Sequence, residues 1–345
     1  MEMNDNNIRV KWIDSAKFIG IFAIYLGHIE SVFFHDFCFA FHVQLFFFLS
    51  GCTAALKNMK SPNKGGGYCA YVSHLIKSLL LPTFIFGMIS IFIRALLSSD
   101  FCNVYQNILI LFKGPIRNTF PASSLWFFSC LFIVSVVFEQ IRRLGLIAVT
   151  ISIPCCMALS TFIYRNTNAY SNVGIYNYDA ALYYWVFFAL GYLVFMIFEK
   201  LHNEIQRRYV PFISVTIFVN ISTIIMLVAF WGNKIGCFIL WIRPLMLILI
   251  VCSICVFMKK VPLQITEIGM NTKYFCLGED FAEIIIPTIV GLFGLSINMF
   301  TPFHSIIYTI LVLVFCKKIV VPVEKKIIEC IVIHPSTYPT NKSLQ

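Results

Sequence analysis

Charged residues are scarce in this sequence. Asp, Glu, Lys and Arg make up 12% of its 345 residues, whereas hydrophobic residues make up 59% and the mean hydropathy is +0.84. A soluble domain of this size could not carry so apolar a composition without aggregating. The composition therefore excludes a soluble enzyme. It predicts an all-α, multi-pass protein of the cell membrane, with one membrane domain and no large soluble one.

Acidic residues are fewer than basic ones, at 16 against 26, which gives a formal net charge of +10. The basic residues are spread over short polar segments rather than gathered in one patch, so the excess does not indicate nucleic-acid binding. The sequence also lacks an internal repeat, which removes support for the inverted repeats of many secondary transporters. Its polar N-terminus, followed directly by apolar runs, predicts no cleavable signal peptide.

Metal-binding cysteine patterns are missing as well. Most of the 13 cysteines lie inside apolar runs, where a free cysteine behaves as a small hydrophobic residue. Cys252 and Cys255 form a C-x-x-C in a predicted helix with no second pair, which favours helix packing over a zinc or redox role. We expect no metal site, no permanently bound cofactor and no disulfide framework.

Long apolar runs are what the sequence has in abundance. A helix needs about 20 mostly apolar residues to cross a bilayer. The ten predicted spans are residues 16–34, 37–56, 75–97, 124–141, 145–163, 181–198, 210–231, 235–257, 274–296 and 303–322. The run 104–112 is too short to cross alone and predicts an extended, re-entrant or interfacial piece. Residues 1–330 are expected to form a single transmembrane domain, and residues 331–345 a disordered cytoplasmic tail.

The polar segments between the runs predict the orientation. With the N-terminus in the cytoplasm, the loops on the other side hold only Lys113, Arg117, Arg165 and Lys234, while the cytoplasmic loops hold many more lysines and arginines. This asymmetry is what the positive-inside rule requires. It predicts that both termini are cytoplasmic.

The first apolar run carries ionisable residues along one face. Lys17 and His28 are eleven residues apart, close to three helical turns, so both side chains point the same way and lie roughly 16 Å apart along the axis. Asp14 lies on the same side, one turn before Lys17. Charged side chains inside a bilayer are costly and usually face a protein interior or a wet cavity. This helix is therefore predicted to line a site.

A second histidine lies on the next apolar run. His42 is expected about one turn inside the outer end of that run, and the short hairpin around His35 and Asp36 makes the two helices neighbours. A neutral imidazole is a natural general base near pH 7, so His28 and His42 are the candidate catalytic residues. The alternative is that each histidine hydrogen-bonds a carbonyl or hydroxyl and helps the helices pack.

The basic residues at the start of the first helix also have two interpretations. Lys17 could snorkel to the lipid headgroups. Together with Arg9 and Lys11 it could instead meet an anionic ligand from the cytosol. Asp14 could belong to that site or neutralise Lys17 one turn away. Arg9, Asp14 and Lys17 are therefore the candidate donor-binding residues.

Three acids, Glu279, Asp280 and Glu283, fall in the ninth predicted span, where each needs a partner or water. Arg243 and Arg94 are their candidate partners. The result would be either a structural ion pair or a polar wall of a hydrophilic substrate cavity.

The aromatic residues mostly fit an interfacial belt and a packed core. Trp126 has a second interpretation, because it opens the run 124–141 with Pro121 and Ser124 before it. In that position it could cover the face of a sugar.

Residues 12–51 resemble the opening of the acyltransferase-3 family of integral membrane O-acyltransferases. They contain WIDSAKFIGIFAIYLGH and then FHVQLFFFLSG. The family signature is a basic residue, ten intervening residues and a histidine on the first helix, followed by F-H-x-x-L-F-F-x-x-S-G on the second. Lys17 and His28 match the first part, and residues 41–51 match the second. Many members have arginine at the first position; lysine keeps the charge but loses the bidentate fork.

Two later stretches resemble the family more weakly. They are SLWFF at 124–128 and IGMNTKYFCLGED at 268–280. Many members carry a histidine near the position of Glu279.

The resemblance implies a ten-span topology and transfer of an acyl group, usually acetyl from cytosolic acetyl-CoA, to a sugar hydroxyl on a lipid-linked or surface glycan. His28 would deprotonate the hydroxyl or briefly carry the acyl group. His42 would orient it or stabilise the oxyanion. The candidate substrate-binding residues are Glu279, Arg243, Trp126 and Asn271.

Other functions remain open from the sequence. A polytopic transporter of a glycan precursor or a small anionic solute would also use buried acids, arginines and histidines, for proton coupling. The other membrane-bound O-acyltransferase superfamily pairs an asparagine with a distant histidine in a polar, tryptophan-rich setting that this chain lacks. The H-x-x-x-x-D motif of glycerolipid acyltransferases is absent after both His28 and His42.

Overall fold

The computed structural model describes residues 10–28, 32–60, 67–98, 101–114, 123–167, 177–205, 241–258, 261–279, 281 and 301–331. Arg9, Asp280, Glu283, the predicted span 210–231 and all but the first residue of the predicted tail lie outside these ranges. Within them the chain forms helices and no β-strand, which confirms the all-α prediction. Helices satisfy their backbone hydrogen bonds internally, as a hydrocarbon environment requires.

The described helices are numbered α1 to α14 in chain order. They are Lys11–His28, Val32–Phe39, His42–Lys60, Tyr68–Leu75, Leu81–Ser98, Val104–Phe112, Trp126–Arg143, Leu146–Thr167, Tyr178–Ile205, Arg243–Phe257, Leu263–Met270, 272–279, Pro302–Phe315 and Val321–Ile331. Short π-helical segments, Ile76–Leu80 and Cys316–Val320, join α4 to α5 and α13 to α14. A 3-10 turn, Ser123–Leu125, precedes α7.

Five helical segments in the described ranges are long and apolar enough to cross a membrane. They are Phe34–Met59, Tyr68–Leu97, Leu146–Ile163, Tyr178–Phe198 and Pro302–Cys330. Each overlaps one of the predicted spans. The predicted total of ten spans and the cytoplasmic location of both termini stay predictions. Helix α6 has nine residues, about 13 Å of helix, and is too short to cross.

Helix α1 lies at the centre of the bundle. It packs against α2, α3, α10, α11 and α13, and 11 of its 18 residues are buried. Lys11, Asp14 and Lys17 make it too charged to count among the apolar spans. Because neighbouring helices surround α1, most of its polar groups contact protein rather than lipid.

The most extensive helix contact joins α3 and α9. A Cβ atom added at Gly51 would lie 2.0 Å from the carbonyl O of Phe188, and one added at Gly191 would lie 2.0 Å from the carbonyl O of Phe48. The two backbones therefore touch directly, as small residues allow in membrane helices. Gly51 ends the F-H-x-x-L-F-F-x-x-S-G run, so the motif's glycine has a packing role here.

Polar side chains connect α3, α7 and α9 at the end of α3 opposite His42. Asn58 donates to Oη of Tyr192 at 2.9 Å and accepts from Arg142 at 2.7 Å. Glu139 pairs with Arg142 at 2.8 Å. This network joins the far ends of the same helices that surround the cavity described below.

Substitution of Gly51 by alanine should destabilise the bundle. The added methyl group would force α3 and α9 apart, and overpacking of this kind costs about 1–3 kcal/mol or more. We expect Gly51→Ala to lower the melting temperature of the detergent-solubilised protein, measured by size-exclusion chromatography after heating. Gly67→Ala is the matched control, because no atom lies within 4 Å of its added Cβ. Equal melting of the two variants would contradict the backbone contact.

Candidate active site

A cavity of about 360 Å³ lies among α1, α2, α3, α7, α9 and α12. One acid, two histidines, an amide, three hydroxyl-bearing residues and several aromatic rings line it. The lining residues are Ile24, His28, Phe39, His42, Val43, Gln44, Phe46, Ser124, Trp126, Phe127, Tyr183, Tyr184, Cys276 and Glu279. Polar groups with opposite chemical roles therefore meet in a mostly aromatic chamber, which is the usual composition of a small-molecule site.

His28 is the last residue of α1 and contacts an acid on α12. Its Nδ1 atom lies 2.8 Å from Oε1 of Glu279, and the two side chains are 23% and 4% exposed. The distance is within hydrogen-bond range, and the two groups carry opposite charges only when the imidazole is protonated.

Tyr25 sets the register of α1 against α12. Its hydroxyl donates to the carbonyl O of Phe275 at 2.9 Å. Tyr25 precedes His28 by three residues and Phe275 precedes Glu279 by four, which is about one helical turn in each case. The hydrogen bond therefore brings the carboxylate opposite the imidazole one turn further along.

His42 opens α3, and its ring is 3% exposed. Its Nδ1 atom lies 2.7 Å from the carbonyl O of Cys38. A carbonyl only accepts, so Nδ1 carries the proton, and a neutral His42 has its lone pair on Nε2. The His28 and His42 ring centroids are 6.4 Å apart. His42 thus makes the carbonyl contact of a packing histidine and also lines the cavity.

The two histidines have different helix surroundings. His28 ends α1 beside Glu279, and both the carboxylate and the partial negative charge of a helix C-terminus interact favourably with a positive imidazole. His42 lies inside the helical segment Phe34–Met59, where its Nδ1 contacts the carbonyl O of Cys38.

Two tyrosines of α9 form part of the cavity wall, although neither was predicted from the sequence to be a site residue. Tyr184 stacks on Phe47 and lies 5.6 Å from the ring of Trp126, between centroids. Tyr183 accepts from Nε2 of Gln44 at 3.2 Å. The only signal in the sequence was a pair of adjacent tyrosines in an apolar run, and helical periodicity does not separate a core aromatic from a cavity wall.

Two further polar side chains of the cavity lining were not predicted from the sequence to bind substrate. Oε1 of Gln44 and Oγ of Ser124 are buried, and neither has a hydrogen-bond partner among the described residues. Buried polar atoms usually find a partner. These two are therefore candidate contacts for a bound substrate.

Lys17 lies three turns before His28 on α1. Its Nζ atom is 4.0 Å from Oδ1 of Asp14, and its side chain is 26% exposed. It also interacts electrostatically with Cys52 of α3. Lys17 is not among the residues that line the cavity. The cavity thus holds His28 without extending to the charged start of α1.

Two predicted substrate-binding residues lie outside the lining. Arg243 is the first residue of α10 and interacts electrostatically with Tyr183, which does line the cavity, and with Asp36. Asn271 links α11 to α12, and its Nδ2 atom donates to the carbonyl O of Glu267 at 2.7 Å. The Asn271 amide therefore caps a helix end instead of facing the cavity.

The acid predicted to face an arginine contacts a histidine. The sequence suggests Arg243 or Arg94 as the partner of Glu279, and the structure places its carboxylate against His28. The reason is the register that the hydrogen bond of Tyr25 imposes on α1 and α12.

A family described as an acyltransferase domain, acyltransferase-3, matches residues 10–275. The match covers well over half of the chain and begins at the start of α1. This chain belongs to the acyltransferase-3 family. Membership makes the protein a membrane acyltransferase in general terms. No curated protein and no solved structure matches the chain.

The acyltransferase-3 match includes Lys17, His28, His42 and Trp126, and it ends four residues before Glu279. Glu279 is therefore connected to the site by its contact with His28 and not by the family match. In this arrangement its carboxylate touches the imidazole of His28 and reaches the cavity beside it.

Removing the charge of Glu279 should slow this acyltransferase. We expect Glu279→Gln to lower kcat for acyl transfer in isolated membranes about 100-fold, with little change in KM, because a protonated His28 loses its counter-charge. Glu279→Asp should recover part of the rate. The matched control is Glu267→Gln, since Glu267 pairs with Lys317 at 2.5 Å outside the cavity. A raised KM with unchanged kcat would contradict a role beside the reacting group.

Proposed function

We propose that the protein transfers an acyl group, most simply acetyl, from cytosolic acyl-CoA to a sugar hydroxyl of a surface or lipid-linked polysaccharide at the inner or plasma membrane. The observation that carries the proposal is the 2.8 Å contact of His28 with the buried carboxylate of Glu279 at the wall of the cavity. A histidine backed by a carboxylate can take the proton of a weakly acidic hydroxyl. Acyl transfer to an alcohol requires that step.

The start of α1 suits the donor. Coenzyme A carries several phosphates, and Lys17 offers a positive charge on the helix that ends at His28; Arg9 would add a second. Lysine contacts phosphate as a point charge. The rise of α1 separates Lys17 from His28 by roughly 16 Å, a distance that an extended pantetheine arm can span. Asp14, 4.0 Å from Lys17, would orient the ammonium group.

The cavity suits a sugar acceptor. Trp126, Tyr183 and Tyr184 offer apolar ring faces that can cover the C–H face of a sugar, while Gln44 and Ser124 offer buried oxygen atoms for its hydroxyl groups. The volume of about 360 Å³ falls in the range of small-molecule sites. Arg243, which interacts electrostatically with Tyr183, would add a polar contact at the edge.

The reaction follows from these positions. Nε2 of His28 takes the proton of the sugar hydroxyl while the oxygen attacks the thioester carbonyl carbon. Glu279 and the C-terminus of α1 stabilise the imidazolium that forms. The C–S bond then breaks, the new ester bond remains, and the imidazolium returns its proton to the departing thiolate of coenzyme A.

His42 would orient the sugar through a neighbouring hydroxyl in this scheme, because the reacting hydroxyl gives its only proton to His28. With its proton on Nδ1, the neutral ring presents a lone pair at Nε2, which can accept from a hydroxyl but cannot donate to an oxyanion. In the alternative order of events, Nε2 of His28 first forms an acyl-imidazole as the C–S bond breaks and the thiolate of coenzyme A departs. The sugar oxygen then attacks the acyl carbon, Nε2 of His28 leaves, and the proton of the hydroxyl passes to the thiolate. Labelled acyl groups retained on the protein without acceptor would distinguish this order from direct transfer.

Loss of His28 should abolish transfer. We expect membranes that contain His28→Ala to move no radiolabel from acetyl-CoA to glycan above background, and surface polysaccharide from those cells to lack the mass of one acyl group. The matched control is His304→Ala, because His304 is exposed at the start of α13. Acetylated glycan made by His28→Ala would overturn the proposal. Glycan uptake by the wild type without acyl transfer would favour a transporter.

Loss of the Lys17 charge should weaken binding of the acyl-CoA donor more than it slows the chemical step. We expect Lys17→Gln to raise the KM for acetyl-CoA about 10-fold with a smaller effect on kcat, since a charge contact to phosphate is lost while His28 is intact. Lys17→Arg should restore binding. Lys57→Gln, at an exposed position near the end of α3, controls for the loss of a charge. A fall in kcat alone would contradict the anchoring role.

A further inference from the structure

Between Lys17 and the cavity, one aromatic ring lies against α1. Lys17, Gly20, Ile24 and His28 are spaced by three, four and four residues, so they form one stripe along α1. Ile24 and His28 line the cavity, whereas Lys17 and Gly20 do not. Along this stripe the cavity therefore ends near Gly20, about one helical turn C-terminal to Lys17.

The ring at that end belongs to Phe46 of α3. A Cβ atom added at Gly20 would lie 2.7 Å from Cζ of Phe46, and between 3.0 and 3.3 Å from its two Cε atoms. The end of the ring therefore rests on the bare backbone of α1. Phe46 lines the cavity, yet it is only 4% exposed.

The position of Phe46 along α3 agrees with its placement at the end of the cavity that is nearer Lys17. It follows His42 by four residues on α3, which puts it one turn further from the outer end. Its ring makes an edge contact with Phe127 of α7, at 5.9 Å between centroids. The ring thus extends from α1 toward α7 and forms the floor of the cavity on the side of Lys17.

We propose that Phe46, seated on Gly20, is the barrier that the acyl group must pass to reach His28, and that its ring selects short acyl groups. This inference rests on the proposed function, because it assumes that the donor is anchored near Lys17. A thioester that reaches His28 along this stripe must displace or pass the ring. Each added methylene then needs space that the ring occupies.

The test compares acyl donors of increasing length. Membranes with wild-type protein or Phe46→Ala receive acetyl-, propionyl- or butyryl-CoA, and kcat/KM is obtained from release of the coenzyme A thiol. Mass spectrometry identifies the acyl group on the polysaccharide. We expect the wild type to prefer acetyl. Phe46→Ala should raise the butyryl-to-acetyl ratio of kcat/KM at least about 10-fold, because a pocket discriminates by roughly that factor per methylene.

Two further variants separate selection from general loosening. Phe46→Leu keeps most of the side-chain volume and should raise the butyryl-to-acetyl ratio of kcat/KM by a smaller factor. If Phe46→Ala does not fold, the ratio of Phe46→Leu tests the role of Phe46. Phe138→Leu changes another buried phenylalanine that does not line the cavity, and its ratio should stay at the wild-type value. Folding of each variant is checked by size-exclusion chromatography.

The outcomes are distinguishable. An unchanged ratio in folded Phe46 variants, or an equal rise in Phe138→Leu, would overturn the role of Phe46 and leave the proposed function standing. A wild-type protein that transfers from none of the three donors would overturn the proposed function, and this inference with it.

Discussion

The contact between His28 and Glu279 organises the interior of this bundle. A carboxylate buried among apolar helices is strongly destabilising unless it has a partner, and the Glu279 side chain is 4% exposed. Its partner ends α1, so α1 and α12 must meet at one depth and in one register. The hydrogen bond from Tyr25 to Phe275 supplies that register. The imidazole thus gives the buried carboxylate a partner, and in the proposed reaction the carboxylate would give the protonated imidazole a counter-charge.

The central position of α1 explains how a membrane helix can carry so many polar groups. Among the described helices, α2, α3, α10, α11, α12 and α13 contact α1, so its charges do not have to face lipid. In the proposed reaction, the stripe from Lys17 through Gly20 to His28 would place a contact for the anionic donor, a close helix contact and a proton acceptor in order along one axis. A single rigid helix therefore relates the two halves of the proposed reaction, and their separation follows from its rise.

Direct backbone contact plays a comparable part on the other side of the cavity. Helices α3 and α9 approach each other at Gly51 and Gly191. This close approach carries His42 and Gln44 on one helix and the tyrosines of α9 on the other toward the same chamber.

The sequence by itself determined the class of protein and the polar face of α1. Hydropathy and helical period are properties of neighbouring residues, so apolar runs, the shared face of Lys17 and His28, and the proximity of His42 across a short hairpin could all be predicted. Contacts between residues far apart in the chain could not be predicted from these patterns. Glu279 was recognised as needing a partner, but only the packing of α12 on α1 decided that His28 meets it, and only the contact of α3 with α9 brought Tyr183 to the wall. Pair contacts between helices depend on depth, rotation and register, and a one-dimensional pattern does not specify these.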